Sequence, residues 1–412
     1  MQLCNWLAGI DINTRAIIAT FGSSTDHGNP RVHGSSVAEL QYSPGRTFVD
    51  PHAQRNAVRQ LAEWLRLESG GNLDEAALTI SGIAIQEMPS SGECRFSTPT
   101  VIDGETVEIA RRKALRGPGL LGSVLCSVIR SYEFDGRRTI SAPLGMRAMS
   151  LRVEMVAWVV RSPHIRAAVD ALTDAGIRPG VIAPRAVAIA ETALTRSERE
   201  GGAVLVCAND EFTEVAAFVD AQLADLFVVP LGKSALEVQL SRACGVSIEL
   251  VRRLDLQRML MSTEDDVIVH NVRTIMSAWG VSLFAAIRRR LDAGDFTWRL
   301  QSGVVIADSV GALPTLAQTA TRVLGRPARV AVSAQPITPG GVSLGEPLAA
   351  CGLISLQWKT NGRQREQFDV PLPTTSMHVP SEIESREIFE RKGLVPVIGR
   401  WLREFIPADH SL

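Results

Sequence analysis

The sequence predicts an α/β protein with more than one hydrophobic core. Short apolar runs typical of buried strands alternate with segments in which apolar residues recur every three or four positions, the spacing of a helix packed on a sheet. The chain has 412 residues, too many for one ordinary core, and 45% of them are hydrophobic while 21% are charged. These proportions are normal for a globular protein, so we expect two or more compact α/β units.

The first 88 residues have the pattern of one such unit. Strands are expected at 6–12, 16–21 and 47–49, a helix at 53–67 and a buried strand at 78–85. Within the helix, Ala57, Leu61 and Leu65 repeat at the spacing of one face, which predicts that this face packs on the sheet.

The pattern changes between about 89 and 160, where a small α+β insertion is expected. A helix is predicted at 107–115, and strands are predicted at 124–134, 138–140 and 151–160. The dipeptide Asp135-Gly136 is typical of a tight hairpin turn and should join the first two of these strands.

A helix and then a second α/β unit follow the insertion. A helix at 163–175 should end at Gly176, because glycine favours the left-handed position that follows many helices. The second unit opens at Gly201-Gly202. Its expected elements are a strand hairpin at 203–229, helical regions at 233–258 and 275–292, a strand at 304–307 and helices at 312–324 and 347–354.

Charge and cysteine content disfavour several classes of protein. The formal net charge is −1, so there is no basic excess to attract nucleic acid. The six cysteines include no CxxC pair and the seven histidines show no metal-ligand spacing, so neither a disulfide framework nor a zinc site is expected. The first residues lack the pattern of a secretory signal, and no apolar run reaches the ~20 residues that span a bilayer. We expect a cytoplasmic protein whose membrane contact is peripheral.

The C-terminal segment predicts that contact. Residues 358–389 are largely polar and have the composition of a flexible linker, whereas 390–407 have the pattern of a short amphipathic helix. A helix of ~12 residues is too short to span a bilayer but can lie in its interface. The residues expected to contact the membrane are Leu394, Val397, Ile398, Arg400, Trp401, Leu402, Arg403 and Phe405. The alternative is a terminal helix docked on the protein's own core, and the long polar linker favours the membrane.

Several segments resemble FtsA, the bacterial actin-like protein that anchors FtsZ filaments to the inner membrane. They are 131–136, 143–146 and 151–154 in the insertion, 178–179 and 184–191 after it, and 398–405 in the tail. The resemblance runs over nearly the whole chain. The insertion segments are its most specific part, because they resemble the small domain (the SHS2 domain) that FtsA carries and ordinary actins lack.

The resemblance implies an actin-like, two-lobed fold of the actin, Hsp70 and hexokinase kind. Residues 1–88 and 161–198 would form the first lobe, 89–160 the inserted domain, and 199–357 the second lobe with a subdomain near 231–295. It also implies a peripheral location on the cytoplasmic face of the inner membrane at the division septum. The implied partners are the FtsZ C-terminal tail, an anionic membrane surface and other division proteins, and self-association into actin-like polymers is a further option.

In the family, the subdomain of the second lobe binds the FtsZ tail. Candidate residues for this contact are Arg252, Arg253, Arg288 and Arg289, because an acidic peptide with apolar anchors could dock on a cationic helical surface. The alternative is that these arginines simply solvate helix faces and cover apolar neighbours.

Actin-like ATPases hold ATP and magnesium between the lobes with glycine-rich hairpins, and all three such loops depart from the family pattern here. The first contains Asp11, Asn13 and Thr14, and its Arg15 either contacts phosphate or is a solvated turn residue. In the second, residues 207–214 replace a leading acid and a glycine run, placing two carboxylates where a polyphosphate would lie. In the adenosine loop, residues 307–311 replace a run of glycines.

The candidate nucleotide contacts that survive are Asp11, Asn13, Thr14, Thr213 and Gly311. We expect weak or absent ATP and magnesium binding, no catalytic residue, no resident metal and no useful hydrolysis. The leading hypothesis is therefore a structural adaptor that resembles FtsA. The alternatives are a diverged paralogue that tethers a different partner to the membrane, and an ATPase or sugar-kinase-like phosphotransferase of the same superfold.

Overall fold

The computed structural model describes residues 5–24, 30–41, 50–80, 84–160, 163–253, 267–294, 296–307, 314–331 and 348–359. The strands are β1 (Asn5–Ile12), β2 (Ala16–Ser24), β3 (Arg31–Glu39), β4 (Glu75–Ile80), β5 (Ile85–Val101), β6 (Ser123–Phe134), β7 (Arg137–Thr139), β8 (Arg147–Val160), β9 (Arg178–Pro184), β10 (Ala203–Ala208), β11 (Thr213–Val219), β12 (Gln222–Val229), β13 (Gly303–Ala307) and β14 (Ala328–Val330). The helices are α1 (Pro51–Glu68), α2 (Gly104–Leu121), α3 (Pro163–Asp174), α4 (Arg185–Ala193), α5 (Arg196–Glu200), α6 (Lys233–Cys244), α7 (Ile248–Arg253), α8 (Val267–Ala293), α9 (Pro314–Leu324) and α10 (Leu348–Trp358).

Two five-stranded sheets share one topology. Their strand orders are β3-β2-β1-β4-β9 and β12-β11-β10-β13-β14. In each sheet, three antiparallel strands are followed by two strands that run parallel to the first. The chain therefore contains two α/β lobes of the same design, and the first hairpin of each sheet lies at an equivalent position.

A third sheet, of order β5-β8-β6-β7, is inserted between β4 and β9 and is covered by α2. The helix approaches β5 closely at Gly92, where an added Cβ would lie 2.0 Å from the carbonyl oxygen of Ala110. The hairpin predicted at Asp135-Gly136 is confirmed, because both residues have the positive φ angles, 46° and 78°, of a type I′ turn. Gly176 also has the left-handed φ, 76°, expected after a helix.

Two predicted elements differ from the structure, and a third cannot be compared with it. The strand predicted at 47–49 lies outside the described residues, and the third strand of the first sheet is instead β3. The strand predicted at 78–85 was wrong at its end, because β4 stops at Ile80 and the long strand β5 begins at Ile85. The helix predicted at 107–115 extends to Leu121 through the buried Pro118. Proline and small residues in these segments obscured the periodic patterns from which the long strand and the end of the helix would be predicted.

Helix α10 packs against β1 and α4, and ten consecutive residues, Leu348–Gln357, are buried on all its faces. Glycines permit this packing, since a Cβ on Gly352 would lie 1.8 Å from the Ala188 carbonyl oxygen. A shared core containing Trp158 and Leu205 joins the inserted sheet, α4 and the second large sheet. Among the described residues, no helix combines the length and apolar character needed to cross a membrane.

Candidate functional site between the two lobes

Asp11 lies near the end of β1 and is fully buried. Its Oδ1 accepts a hydrogen bond from Thr79 Oγ1 at 2.7 Å, and the Arg185 Nε lies 3.0 and 3.1 Å from its two carboxylate oxygens. Arg185 is the first residue of α4 and is itself buried. A protein cation therefore already neutralises the carboxylate of this candidate nucleotide contact.

The hairpin after β1 is shaped by Asn13. Its Oδ1 accepts hydrogen bonds from the backbone N–H of Arg15 at 2.8 Å and of Ala16 at 2.9 Å. Among the described residues other than glycine, a positive φ occurs only at Asp135, Asp220 and Ala221, so Asn13 does not replace a left-handed glycine. Instead its side chain occupies the inner side of the turn, bonding to amides that a phosphate would otherwise approach.

The equivalent hairpin of the second lobe packs on the N-terminus of α6. The carbonyl oxygens of Asn209 and Asp210 accept hydrogen bonds from the N–H groups of Lys233 and Ser234 at 3.0 and 2.7 Å. Thr213, predicted as a nucleotide contact, is buried and donates its hydroxyl to the Leu231 carbonyl at 2.7 Å. The first amides of α6, which could attract a phosphate, are therefore capped by the protein's own carbonyls.

Ion pairs join the two hairpins across the cleft. The Arg15 Nε lies 2.5 Å from Asp210 Oδ2, to which Thr14 also donates its hydroxyl at 3.4 Å. The Arg185 Nη1 donates to Asn209 Oδ1 at 2.9 Å, so Arg185 bridges Asp11 of one lobe to Asn209 of the other. Arg15 therefore has a partner on the other lobe, although its side chain is 40% exposed.

A second layer of charge surrounds Glu237 on α6. This buried carboxylate lies 2.9 Å from Arg252 Nε, 3.7 Å from Lys233 Nζ and 3.8 Å from Arg15 Nη2. Glu214 of β11 contributes separately, accepting the Ala186 N–H at the start of α4 at 3.2 Å. Each of these carboxylates thus has a partner within the protein.

The inserted sheet also contacts the second lobe. The Trp158 indole N–H donates to the Leu226 carbonyl at 2.6 Å, and the Arg130 guanidinium lies 3.1 Å from Asp225 Oδ1. Arg290 of α8 bridges Asp225 at 3.0 Å and Glu87 of β5 at 2.6 Å. Burial opposes the charge of Arg290, but the hydrogen bonds and charges of these two acids raise its pKa above the ordinary value.

A cavity of about 590 Å³ lies beside this contact, between β5, β8, β12 and α8. Its walls are mostly apolar and include Ile85, Leu226 and Pro230. Four charged residues also line it: Glu87, Glu214, Arg289 and Arg290. Mostly apolar walls with a small number of polar groups are typical of ligand pockets in general.

The remaining predicted site residues are distributed differently. Arg252 belongs to the charge layer around Glu237, whereas Arg288 donates to the Val323 carbonyl at 3.0 Å and lies 3.6 Å from Asp292. Arg253 ends α7, and its side chain lies outside the described set. Gly311 and the predicted membrane-binding residues from Leu394 to Phe405 also lie outside the described residues.

Sequence reasoning missed Arg185 and Glu237, the two residues that organise the cleft. The sequence did contain a signal for Arg185, which directly precedes an apolar run, Ala186–Ala190. An arginine next to a buried segment needs a partner for its charge. Within the described part of the chain, no group of three or more His, Cys, Asp or Glu side chains is arranged to hold a metal ion.

Comparisons with known proteins give distant relatives. No protein-family model matches the chain. It is 18% identical to the cell division protein FtsA of Neisseria meningitidis serogroup B over 366 residues, covering 83% of this chain and 86% of that protein. It is 23% identical to FtsA of Pseudomonas aeruginosa over 238 residues, covering 56% of this chain and 55% of that protein.

Among solved structures, a chain of the PilM-PilN type IV pilus biogenesis complex superposes with a TM-score of 0.57 at 17% identity, covering 84% of this chain and 97% of that one. At this identity the likeness concerns the fold. The predicted actin-like, two-lobed α/β fold is confirmed. The sequence similarity supports a distant FtsA-like or actin-like relationship.

Proposed function

We propose that the chain is an FtsA-like adaptor that links FtsZ filaments to the cytoplasmic face of the inner membrane at the division septum. Two features support this proposal: the similarity to FtsA over 83% of the chain, and the amphipathic pattern of 390–407. In this proposal the two-lobed body positions a partner-binding surface, and the C-terminal segment supplies the membrane contact.

The observation that carries the proposal is the pairing of Arg15 with Asp210 across the cleft, beside the buried pair that Arg185 forms with Asp11 within the first lobe. A nucleotide would have to separate these groups and present its own negative charge to Asp210 and Glu237. Removing one partner from a buried ion pair costs several kcal/mol, because the other charge stays buried without compensation. The adaptor is therefore proposed to hold its lobes together without ATP and to hydrolyse none.

FtsZ is proposed to bind through its C-terminal tail on the second lobe. Arg289 lines the cavity of about 590 Å³, whose walls are mostly apolar. An acidic segment with apolar side chains could place its carboxylates near Arg289 and its apolar groups in the cavity. Of the predicted arginines, Arg289 is the one that lines this cavity, whereas Arg252 is bonded to Glu237.

The decisive experiment is co-sedimentation of the full chain with purified FtsZ on anionic vesicles, with and without magnesium-ATP. The proposal predicts that FtsZ reaches the pellet with this protein to the same extent in both conditions. A requirement for ATP would contradict the nucleotide-independent part. Weaker pelleting of a Trp401→Ala/Phe405→Ala variant than of the parent would identify the C-terminal segment as a membrane anchor.

A second candidate function is an adaptor for a partner other than FtsZ. It is favoured by the position of Arg252, one of the four predicted FtsZ-binding arginines, inside an intramolecular network. In the same experiment this function predicts that the protein pellets with vesicles while FtsZ stays in the supernatant. Adding Arg289→Ala would then leave FtsZ sedimentation unchanged, whereas the first proposal predicts a loss.

A further inference from the structure

Helix α2 of the inserted sheet presents an exposed face whose composition is unusual. Its inner face packs on the sheet through Ala110, Ala114 and Pro118, which are buried. On the outside, however, Leu120 is 77% exposed, and Ile109 and Leu121 are 38% and 39% exposed. Large apolar side chains on the surface contribute little to the core, so a run of them near one end of a helix calls for another explanation.

The same end of the helix is cationic. The sequence of α2 contains four basic residues and two acidic ones, and both acids, Glu105 and Glu108, lie in its first half. Glu108 is already paired with Arg111 at 3.0 Å and Arg112 at 3.8 Å. The second half therefore carries an excess of positive charge beside its exposed leucines.

The spacing brings these groups onto one stripe. Ile109, Arg112, Arg116 and Leu120 are separated by three or four residues, so they follow one another along the outer face. Lys113 lies beside them, and its Nζ donates to the Glu93 carbonyl at 3.0 Å. Glu93 itself lies 2.6 Å from Arg95, so this neighbouring acid does not neutralise the stripe.

The tip of the helix is also unobstructed. A Cβ added to Gly117 or Gly119 would meet nothing within 4 Å, so a flat surface can approach the backbone on either side of Pro118. The helix dipole accounts for cations near a C-terminus, because basic residues stabilise that end. It does not account for Leu120 and Leu121, whose exposure costs free energy in water.

We infer that the end of α2 from Arg112 to Leu121 binds an anionic bilayer surface, with the two leucines entering the interface and the cations meeting the headgroups. Exposed apolar side chains bordered by basic residues are the composition of peripheral membrane contacts. The inference rests on the proposed function only in placing the protein at a membrane. Stable peripheral attachment generally takes two signals, and this contact would supply one besides the C-terminal segment.

A second contact would also fix how the body faces the membrane. A single short helix on a polar linker holds a protein near a bilayer without orienting it. A patch on the folded inserted sheet restricts that freedom, because α2 packs closely on β5 at Gly92. The partner-binding surface of the second lobe would then have a defined direction relative to the bilayer.

The test uses the full chain and vesicle co-sedimentation at low salt. Vesicles of phosphatidylglycerol with phosphatidylcholine are compared with vesicles of phosphatidylcholine alone. The parent and every variant below are made in two backgrounds, one with the natural C-terminal segment and one with Trp401→Ala/Phe405→Ala. The α2 variants are Leu120→Ser/Leu121→Ser and Arg112→Gln/Arg116→Gln. The matched controls are Leu67→Ser, a leucine 81% exposed on α1, and Arg178→Gln, whose side chain is 75% exposed.

The inference predicts that the tail variant still binds anionic vesicles, in a salt-sensitive manner, and does not bind neutral ones. Each basic residue near an anionic surface contributes roughly a fivefold increase in partitioning, so the double arginine variant should bind about 25-fold more weakly. The double leucine variant should also bind more weakly, and the controls should match their parents. Unchanged circular dichroism would show that these exposed substitutions leave the fold intact.

Other outcomes would overturn the inference and are separable from failure of the proposed function. If the α2 variants bind vesicles as strongly as their parents in both backgrounds, α2 is not a membrane contact. Chemical modification of Arg112 and Lys113 gives a second test. If an acidic protein protects these side chains from modification and anionic vesicles do not, α2 is again not a membrane contact. If the tail variant binds through α2 while FtsZ stays in the supernatant, the FtsZ proposal fails and this inference stands.

Discussion

The Nε atom of Arg15, on the first hairpin of one lobe, lies 2.5 Å from the Oδ2 atom of Asp210, on the first hairpin of the other. The two hairpins occupy equivalent positions in sheets of the same topology. In a nucleotide-dependent relative of this fold, their separation would depend on the ligand between them. Here the contact is made by the protein, and its contribution can be measured.

Arg15→Ala should destabilise the protein. Asp210 keeps only a small exposed surface and would lose its charged partner, and removing one partner of a desolvated hydrogen-bonded pair costs about 1–3 kcal/mol. Urea unfolding at pH 7 measures the loss. A cycle with Asp210→Asn isolates the pair, because the double variant should recover part of the cost.

The matched control is Arg196→Ala, which breaks the exposed Arg196–Glu200 pair of α5. A surface pair of this kind contributes ~0.3–0.5 kcal/mol. Equal losses at Arg15 and Arg196 would show that the cleft pair does not hold the lobes together.

Magnesium-ATP should leave the thermal midpoint unchanged to within about 0.5 °C at millimolar concentration, since only a ligand bound with a Kd near or below its concentration stabilises the native state. The reason is that Arg15, Arg185 and the Asn13 side chain already satisfy the groups that phosphates and metal would need. Differential scanning fluorimetry with and without nucleotide measures this. A concentration-dependent rise of several degrees would show a competent site.

The sequence predicted the elements of regular, strongly periodic pattern. The predicted α1 and the Asp135-Gly136 turn both occur in the structure, since each depends on local spacing and backbone preference. The long strand β5 was missed because its burial is irregular and it contains prolines and serines, so the pleat pattern that marks a half-buried strand is absent.

The sequence addressed the cleft only in part. Comparison with the family pattern predicts that the glycine loops are altered, and this stays a prediction. The sequence did not predict the contact between Arg185 and Asn209, because these residues are 24 positions apart and pair only after the lobes assemble. Contacts of this kind depend on tertiary structure and leave no periodic signal along the chain.

Trp158→Phe should lower stability by about 1–2 kcal/mol, because it removes the indole N–H that bonds the Leu226 carbonyl and leaves this oxygen unsatisfied in the core. Thermal denaturation measures the effect. Trp298→Phe is the control, since Trp298 is 61% exposed and its change should stay within ~0.5 kcal/mol. If both substitutions have the same small effect, the contact between the inserted sheet and β12 is weak.

The contact of α5 with β14 should depend on pH. Hydrogen bonds from Arg329 and the Thr195 N-cap lower the pKa of Glu198 to about 2, with burial opposing them. A carboxyl whose pKa is lower in the folded state stabilises it above the unfolded pKa, near 4.3, and loses that contribution as pH falls through the folded value. Stability should therefore decline between about pH 4.5 and 2.

Glu198→Gln tests this assignment. The variant should be less stable than the parent at pH 6, and the difference should shrink as the pH falls toward 2, because the parent then loses the same charge. Urea unfolding at several pH values gives both curves. The buried Glu191 also has a lowered pKa, since the charges of Arg199 and Lys359 outweigh its burial. The Glu198→Gln variant should therefore still lose some stability in acid. A constant difference across pH would exclude Glu198 as a source.

Two glycine-to-alanine substitutions, one in the inserted sheet and one in its helix, should change the free energy of unfolding in opposite directions. Gly92→Ala places a Cβ 2.0 Å from the Ala110 carbonyl oxygen and 2.5 Å from the Ala114 nitrogen, so α2 must move away from β5. Overpacking of this kind costs about 1–3 kcal/mol. Gly119→Ala meets nothing within 4 Å and should instead stabilise the helix by about 0.5–1 kcal/mol, because alanine loses less backbone entropy there. Urea unfolding of both variants measures the difference. If Gly92→Ala is neutral, α2 is not held as closely to β5 as the structure places it, and the rigid presentation of Leu120 and Leu121 would lose its basis.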